Sequence, residues 1–326
     1  MQPLFELAEL ETVLPQIYQT LNPSPCRQWP LLSDELGCSA FLKHENHNPT
    51  GAFKVRGGLV YLENLLKREP TCQGIASATR GNHGQSIAMA AAKLGLKALI
   101  VVPEGNSIEK NAAMKAFGAE LVIAGKDFDE SRKVATQMAE ERSWHMVPSF
   151  HRDLVLGVAS YAYEMFNSQP LDAVYIPIGM GSGICAVITI RDLLKLDTEV
   201  IGVVSTGADA IKQSFEQKKI ISTDSVNTYA DGMACREPQA AAMNIIQNGA
   251  SRIVSVNDDE IASAQRQLFS CCHTVAEGAG AAALAALKQE RDLQQNKNIG
   301  LVLSGANIDR ELFSQVLQGN TPTMPK

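Results

Sequence analysis

A glycine-rich turn after an apolar strand is the clearest chemical signal in the sequence. The predicted strand Ala173–Ile178 runs into Gly-Met-Gly-Ser-Gly at 179–183 and then into a stretch of helical period. Closely spaced glycines let the backbone turn sharply and direct several N–H groups at one anion. The spacing is neither a dinucleotide fingerprint nor a nucleoside-triphosphate loop, and Val200–Val204 is not followed by a ribose-binding acid. The turn favours a monophosphate-bearing ligand, with a ligand-free turn as the alternative.

A lysine at a predicted helix start is the second candidate. Pro-Thr-Gly at 49–51 is typical of a turn that opens a helix, which places Lys54 in the first helical turns. Phe53 and Val55 flank Lys54, and partial desolvation there would lower the pKa of the amine and free it for Schiff-base formation. On local composition alone, a solvated surface lysine remains the alternative.

Two further segments join predicted strands to helices. In Ser-Ala-Thr-Arg-Gly-Asn-His-Gly-Gln at 77–85, hydroxyls, the Asn82 side chain and helix N–H groups could converge on a carboxylate. A well-capped helix start is the alternative. Ser304, in Leu-Ser-Gly-Ala-Asn at 303–307, could cap a turn or donate to a buried acceptor, and Glu277 could be a buried acid or a helix-start charge. Histidines and cysteines lack metal-ligand spacing, and no Gly-x-Ser-x-Gly elbow supports a serine hydrolase.

Short apolar strands alternate with helices around these candidates. The predicted helices are Gln85–Leu94, ended by Gly95, Glu260–Leu268, capped by Asp258, and Gly278–Leu287. The repeated order implies an α/β fold in which helices cover both faces of parallel sheets. The predicted strands are Gly74–Ser77, Ala98–Val102, Glu120–Ile123, His145–Val147, Ala173–Ile178, Val200–Val204, Arg252–Val256 and Gly300–Leu303.

Composition narrows the class of protein. The 326 residues, 45% of them hydrophobic and 20% charged, indicate a globular chain of one large or two ordinary domains. A net charge of −6 without a basic stripe disfavours nucleic-acid binding, and no apolar run approaches the roughly 20 residues of a membrane span. The absence of a signal-peptide pattern and the seven cysteines without a C-x-x-C pair predict reduced thiols in a cytoplasmic protein.

Together, the motifs and their order resemble the fold-type II pyridoxal-phosphate enzymes, and most closely the serine/threonine dehydratases, or threonine ammonia-lyases. The resemblance runs from about residue 14 to residue 309 and includes Ala-Asp-Gly at 230–232 and Ala-Glu-Gly-Ala-Gly at 276–280. It implies two domains with three-layer, open parallel sheets, as in the tryptophan synthase β subunit. The large domain would comprise residues 1–71 and 148–326, and residues 72–147 would form a smaller mobile domain. No C-terminal regulatory domain is expected.

The resemblance also implies residue roles. Lys54 would form the Schiff base with pyridoxal phosphate and, once freed, act as the catalytic base. Asn82 would bind the phenolic oxygen of the cofactor, and Ser304 would face its pyridine nitrogen. Phe53 would lie beside the ring, and the phosphate would be held by Gly179, Met180, Gly181, Ser182 and Gly183. The residues expected to contact the substrate are Ser77, Thr79, Arg80, Asn82, His83 and Gly232.

Three positions depart from the family pattern. Arg80 replaces the alanine of many relatives and the acid/base serine of serine racemases, and because an arginine side chain stays protonated at neutral pH this replacement disfavours racemisation. It could bind a second substrate carboxylate or lie on the phosphate-facing surface. Val204 and Ala210 occupy the positions of the racemases' cation ligands and Asp209 is unpaired, so we expect no metal. Met180 and Ser182 interrupt a turn that usually reads four glycines, which leaves substrate choice open.

The sequence therefore predicts a pyridoxal-phosphate enzyme that removes water and ammonia from a small β-hydroxy amino acid, L-threonine or L-serine, giving a 2-oxo acid. A 3-hydroxyaspartate or other specialised hydroxyamino-acid ammonia-lyase is the main alternative, and serine racemase ranks behind it. A nicotinamide-dependent oxidoreductase is the alternative from another class, but it leaves Lys54 unexplained. We expect a homodimer, by family likeness, with no nucleic-acid or membrane partner.

Overall fold

The computed structural model describes residues 3–323 and contains two β-sheets with helices packed on both sides. The strands are β1 (Cys26–Gln28), β2 (Ser39–His44), β3 (Gly74–Ala78), β4 (Lys97–Val102), β5 (Glu120–Ile123), β6 (His145–Met146), β7 (Ala173–Pro177), β8 (Glu199–Ser205), β9 (Arg252–Val256) and β10 (Asn298–Leu303).

Helices alternate with these strands along the chain. Their bounds are α1 (Leu7–Tyr18), α2 (Pro30–Leu36), α3 (Lys54–Arg68), α4 (Asn82–Lys93), α5 (Ile108–Ala116), α6 (Phe128–Arg142), α7 (Arg152–Ser168), α8 (Ser182–Leu193), α9 (Ala210–Gln217), α10 (Ala240–Gly249), α11 (Asp258–Cys272), α12 (Gly278–Gln289) and α13 (Arg310–Leu317). Within residues 3–323, no helix is both long and apolar enough to cross a membrane.

The larger sheet has the strand order β1-β2-β10-β7-β8-β9, and the smaller has the order β5-β4-β3-β6. Every pair is parallel except β1 with β2, which is an antiparallel edge that the sequence pattern did not predict. Buried on both faces, the central strands read as continuous apolar runs. The α/β fold with parallel sheets is confirmed, and all eight predicted strands are present, each within two residues of its predicted ends.

Two strands and one helix cap differ from the prediction. Strands β1 and β2 were not predicted, because β2 ends in Lys43 and His44, which resemble a polar loop but are buried. The prediction that Asp258 caps the following helix was wrong. Asn257 caps α11, with its side chain accepting a 2.9 Å hydrogen bond from the Glu260 N–H, while the Asp258 carboxylate accepts one from the Thr228 hydroxyl.

The Ala-rich helix α12 is buried along most of its length and packs across β7, β8, β9 and β10, as its composition predicts. Small side chains let a helix approach a sheet closely. On the opposite face of the larger sheet, helix α3, which begins at Lys54, packs between α4 and α7. The carboxyl ends of β3, β7 and β10 therefore converge near the start of α3.

Candidate active site

A cavity of about 430 Å³ lies at the carboxyl ends of β3, β7 and β10, the position where open α/β sheets bind ligands. Ser77 does not line this cavity. It is buried within β3, where its hydroxyl lies 3.5 Å from the Ala78 carbonyl oxygen, so the structure separates it from the other predicted substrate contacts. The predicted residues that line the cavity are Phe53, Lys54, Thr79, Arg80, Asn82, His83, Gly179, Met180, Gly181, Ser182, Gly183, Gly232 and Ser304.

Lys54 is the first residue of α3, and its side chain reaches the glycine turn. Its Nζ donates a 3.0 Å hydrogen bond to the Ser182 hydroxyl, 128 positions later in the chain, and lies 5.0 Å from the centroid of the Phe53 ring. Desolvation lowers the pKa of Lys54 to about 8, although the Glu277 carboxylate opposes the shift. A useful fraction of this amine is therefore unprotonated, and nucleophilic, near neutral pH.

The glycine turn presents the start of α8 to the same cavity. Gly181 has φ +96°, a left-handed conformation that favours glycine, and no side chain caps the helix. A Cβ at Gly179 would lie 2.2 Å from the Gly232 carbonyl oxygen, so this close approach also requires glycine. The uncapped N–H groups and the helix dipole give a cradle that fits a phosphate.

Thr79 lies in the turn between β3 and α4, and His83 lies in the first turn of α4. The Thr79 hydroxyl oxygen accepts hydrogen bonds from the N–H groups of Gly81 (2.9 Å) and Gly84 (3.3 Å), which leaves its own proton free to donate into the cavity. His83 is hydrogen-bonded to the Pro148 carbonyl, and burial together with Lys54 lowers its pKa to about 3. His83 is therefore neutral, and this wall offers hydrogen-bond donors rather than an acid.

The Asn82 side chain is fixed at both ends. Its Nδ2 donates to Glu277 Oε1 at 2.7 Å, and its Oδ1 accepts from Asn307 Nδ2 at 2.8 Å. One amide N–H of Asn82 remains for a ligand. Ser304, at the end of β10, is 4% exposed and adds a neutral hydroxyl to the lining, while its carbonyl accepts the Phe53 N–H at 3.1 Å.

Sequence reasoning missed the charged pairs that join the cavity walls. Lys110 on α5 lies 2.7 Å from Asp231, and Arg236 lies 2.5 Å from Asp129 on α6. Lys110 and Arg236 belong to no motif, so no local signal marks them. Arg80, in contrast, lines the cavity and forms no close salt bridge within residues 3–323, although its charge acts on Asp127, a carboxylate in the same lining.

Comparison with known proteins agrees with this geometry. Residues 17–305 match the family model described as "Pyridoxal-phosphate dependent enzyme". The biosynthetic L-threonine dehydratase IlvA of Pasteurella multocida is 32% identical over 300 residues, which is 90% of this chain but 58% of that protein. The chain thus spans little more than half the length of this relative.

Two other similar proteins match over almost their whole length. The L-threo-3-hydroxyaspartate ammonia-lyase of a Pseudomonas species is 29% identical over 91% of this chain and 94% of its own. The processed form of threonine deaminase isoform 2 from Solanum lycopersicum superposes with a TM-score of 0.88 at 29% identity, covering 98% of this chain and 95% of that one. Since the family model spans most of the sequence, the chain belongs to the pyridoxal-phosphate-dependent enzymes of fold type II.

Proposed function

We propose that this protein catalyses a pyridoxal-phosphate-dependent β-elimination on a small β-hydroxy amino acid, L-threonine or L-serine, releasing a 2-oxo acid and ammonia. The observation that carries the proposal is the 3.0 Å contact between Lys54 Nζ and Ser182 in the glycine turn. It places a partly unprotonated amine beside an anion cradle, and these features fit a cofactor that has both an aldehyde and a phosphate.

The residues around Lys54 suit the rest of that cofactor. The N–H groups of 179–183 would hold the phosphate, and Phe53 would lie beside the ring. Asn82, with one amide N–H available, would bind the phenolic oxygen. Ser304 would face the pyridine nitrogen. Its neutral hydroxyl would not stabilise a protonated ring nitrogen, whereas a carboxylate would.

The chain's own groups then handle the substrate. When bound, pyridoxal phosphate supplies an electron-withdrawing conjugated ring that acidifies the substrate Cα–H. The Thr79 hydroxyl and the N–H groups at the start of α4 hold the substrate carboxylate. The Lys54 amine, with its pKa lowered to about 8, takes the proton from Cα. With its pKa lowered to about 3, His83 is too weak a base to compete for this proton.

Reconstitution and assay test the proposal directly. The chain loaded with pyridoxal phosphate should absorb near the visible edge, and borohydride should abolish this absorbance and leave a pyridoxyl group on Lys54. It should convert L-threonine or L-serine to the 2-oxo acid, while Lys54→Ala should lose both properties and Lys67→Ala, an exposed change on α3, should keep them. A colourless, inert wild-type protein would refute the proposal.

A 3-hydroxyaspartate substrate is the second candidate, and Arg80 in the cavity favours it. A guanidinium that forms no close salt bridge keeps its hydrogen-bond donors available for a second substrate carboxylate. We expect Arg80→Ala to lower kcat/KM for 3-hydroxyaspartate by at least tenfold while changing the value for threonine by less than threefold. An equal loss for both substrates would reject this role for Arg80.

We also propose the domain division given by the resemblance, with residues 1–71 and 148–326 as a large domain and 72–147 as a small mobile one. In support, all four strands of the smaller sheet lie between residues 72 and 147, and all six strands of the larger sheet lie outside that range. Amide exchange with and without substrate should slow in 72–147 as that domain closes over its ligand.

A cytoplasmic homodimer is the remaining part of the proposal. The seven cysteines are free thiols, a state that persists in a reducing compartment. Large apolar side chains that could meet a second copy are exposed on elements near the larger sheet, among them Leu31, Phe269, Leu293 and Leu317. Sedimentation equilibrium should give twice the chain mass, and fractionation should place the protein in the cytoplasm.

A further inference from the structure

Glu277 is a buried carboxylate in the cavity that the proposed reaction does not use. It is 3% exposed at the start of α12, and its Oε1 accepts the 2.7 Å hydrogen bond from Asn82. Its Oε2 is buried without a hydrogen-bond partner among the described residues. A buried carboxylate oxygen left unpaired is unfavourable, so such an atom needs a functional explanation.

The nearest cation to this oxygen comes from the opposite wall. Lys110 Nζ, on α5 beside the smaller sheet, lies 3.8 Å from Glu277 Oε2 and 2.7 Å from Asp231 Oδ2. Asp231 and Glu277 thus share one lysine, which Asp309 also influences, and Lys54 is the other cation that acts on Glu277. Burial raises the pKa of Glu277 well above its usual range, whereas Lys110 lowers it and Asp231 raises it.

Asn82 links this cluster to the cofactor site. Asn307 holds its amide oxygen and Glu277 holds one of its amide N–H groups, so the second N–H is oriented into the cavity. The charge on Glu277 therefore affects both the orientation of the Asn82 amide and the strength of the hydrogen bond that its second N–H can donate. Lys110 acts on this charge only while α5 is close to Glu277.

We propose that Glu277 is a positioning residue that orients Asn82, and that its charge is controlled by Lys110 when the cleft is closed. Its link to cofactor binding rests on the proposed function, but the charge control itself concerns only groups of this chain. An open cleft would withdraw Lys110 and favour proton uptake by Glu277, whereas a closed cleft favours the carboxylate. Closure and the protonation state of the site are thus coupled.

Infrared titration of the full chain, without added cofactor, tests the charge control. The carbonyl stretch of protonated Glu277 should appear as the component of the carboxyl band that titrates in the wild type but is missing in Glu277→Gln, because other acids such as Glu63 and Asp258 titrate in both proteins. The exposed Glu311→Gln should leave this component in place. Lys110→Met should move the titration midpoint up by about one pH unit or more, because an opposite charge at this distance shifts a carboxyl pKa by about 1–3 units. Lys115→Met, an exposed change on the same helix, should leave it in place.

A second variant keeps the test decisive if Lys110→Met folds poorly. Asp231→Asn removes the competing acid, so the midpoint should move down, opposite to the change in Lys110→Met. Equal midpoints of the Glu277 component in wild type, Lys110→Met and Asp231→Asn would overturn the proposal, as would identical titrations of the wild type and Glu277→Gln. None of these results depends on whether the protein eliminates water from hydroxyamino acids.

Cofactor affinity tests the positioning role. The Kd for pyridoxal phosphate, measured by fluorescence, should change across the Glu277 titration in the wild type beyond the change seen in Glu277→Gln. A purely structural role would weaken binding equally at every pH. Parallel pH profiles for the two proteins would therefore contradict the orientation of Asn82 by the Glu277 charge.

Discussion

Lys54 combines a position beside the glycine turn with an unfavourable environment for its charge. Burial lowers its pKa from 10.5 to about 8, so between these values the unfolded chain binds more protons than the folded one. Stability of the cofactor-free protein therefore rises with pH through this window, and burial of Lys54 is most destabilising below pH 8.

Replacing this lysine should stabilise the cofactor-free chain. We expect Lys54→Met to raise the free energy of unfolding by about 1–3 kcal/mol at pH 7, since each pKa unit corresponds to about 1.4 kcal/mol. The gain should shrink towards pH 10.5, where the lysine is neutral in both states. Urea unfolding at several pH values measures this, with exposed Lys67→Met as control; a gain independent of pH would contradict the assignment.

Single residues of the site could be predicted from the sequence where the backbone conformation itself requires a particular residue type. Gly179 and Gly181 stand out in the sequence because a close approach and a positive φ require glycine. The turn signal before Lys54 makes it a candidate, but its proposed role comes from the family resemblance rather than from the turn. Lys110 and Arg236 could not be predicted, because their function depends on partners over 100 positions away that only the folded chain brings near.

Helix α3 owes its position to a buried charge cluster. The Arg56 guanidinium, fully buried two residues after Lys54, donates to both oxygens of Glu45 at 2.7 and 3.0 Å and to Glu164 at 2.6 and 3.0 Å. Lys43 also pairs with Glu164 at 2.5 Å. Two cations and two carboxylates are thus neutralised beneath the start of α3.

Breaking this charge cluster should strongly destabilise the folded protein. Arg56→Met leaves two buried carboxylates with too little positive charge, so we expect a loss of about 3–5 kcal/mol in the free energy of unfolding. Lys67→Met, on the exposed face of α3, should change it by less than about 0.5 kcal/mol. Urea denaturation of both variants gives the comparison, and similar stabilities would show that the cluster does not anchor α3.

Helices α3 and α7 approach each other through glycine. A Cβ at Gly157 would lie 2.2 Å from the Arg56 carbonyl oxygen, which has no room to move within α3. Alanine is the better helix former by about 1 kcal/mol, but overpacking costs about 1–3 kcal/mol or more.

We therefore expect Gly157→Ala to destabilise the protein by about 1–2 kcal/mol, because the steric clash outweighs the gain in helix propensity. Thermal unfolding measures this effect. Asn167→Ala, exposed on the same helix, reports the propensity change without a clash and should change stability by less than about 1 kcal/mol. A stabilised Gly157→Ala variant would mean that the two helices can separate without loss.

At the scale of the whole molecule, the parallel sheets were predictable because buried strands are continuously apolar. The prediction failed for β2, whose final residues Lys43 and His44 are polar yet buried, since their partners lie elsewhere in the chain. The sequence motifs predicted the residues that line one wall of the cavity. It did not reveal the opposite wall, where side chains of α5 and α6 cross the cleft.

The Arg236–Asp129 pair joins α6, beside the smaller sheet, to the segment between α9 and α10. Both side chains are about a third exposed, at 34% and 28%, so the pair should contribute only about 0.5–1 kcal/mol to closure. We expect Arg236→Gln to open the cleft more often and to speed amide exchange at the start of α6 about two- to fivefold at low salt.

Measurements at high salt and on a matched variant distinguish opening of the cleft from a general loss of stability. Because exposed charges are screened within about 3 Å at 1 M salt, wild type and Arg236→Gln should exchange at nearly the same rate there. Arg142→Gln removes a somewhat more exposed pair with Glu120, at 31% and 50%. Glu120 lies in β5 and Arg142 on α6, both on the side of the smaller sheet, so the effect of this variant should not include opening. If the two variants speed exchange at the start of α6 equally, the Arg236–Asp129 pair does not hold the cleft closed.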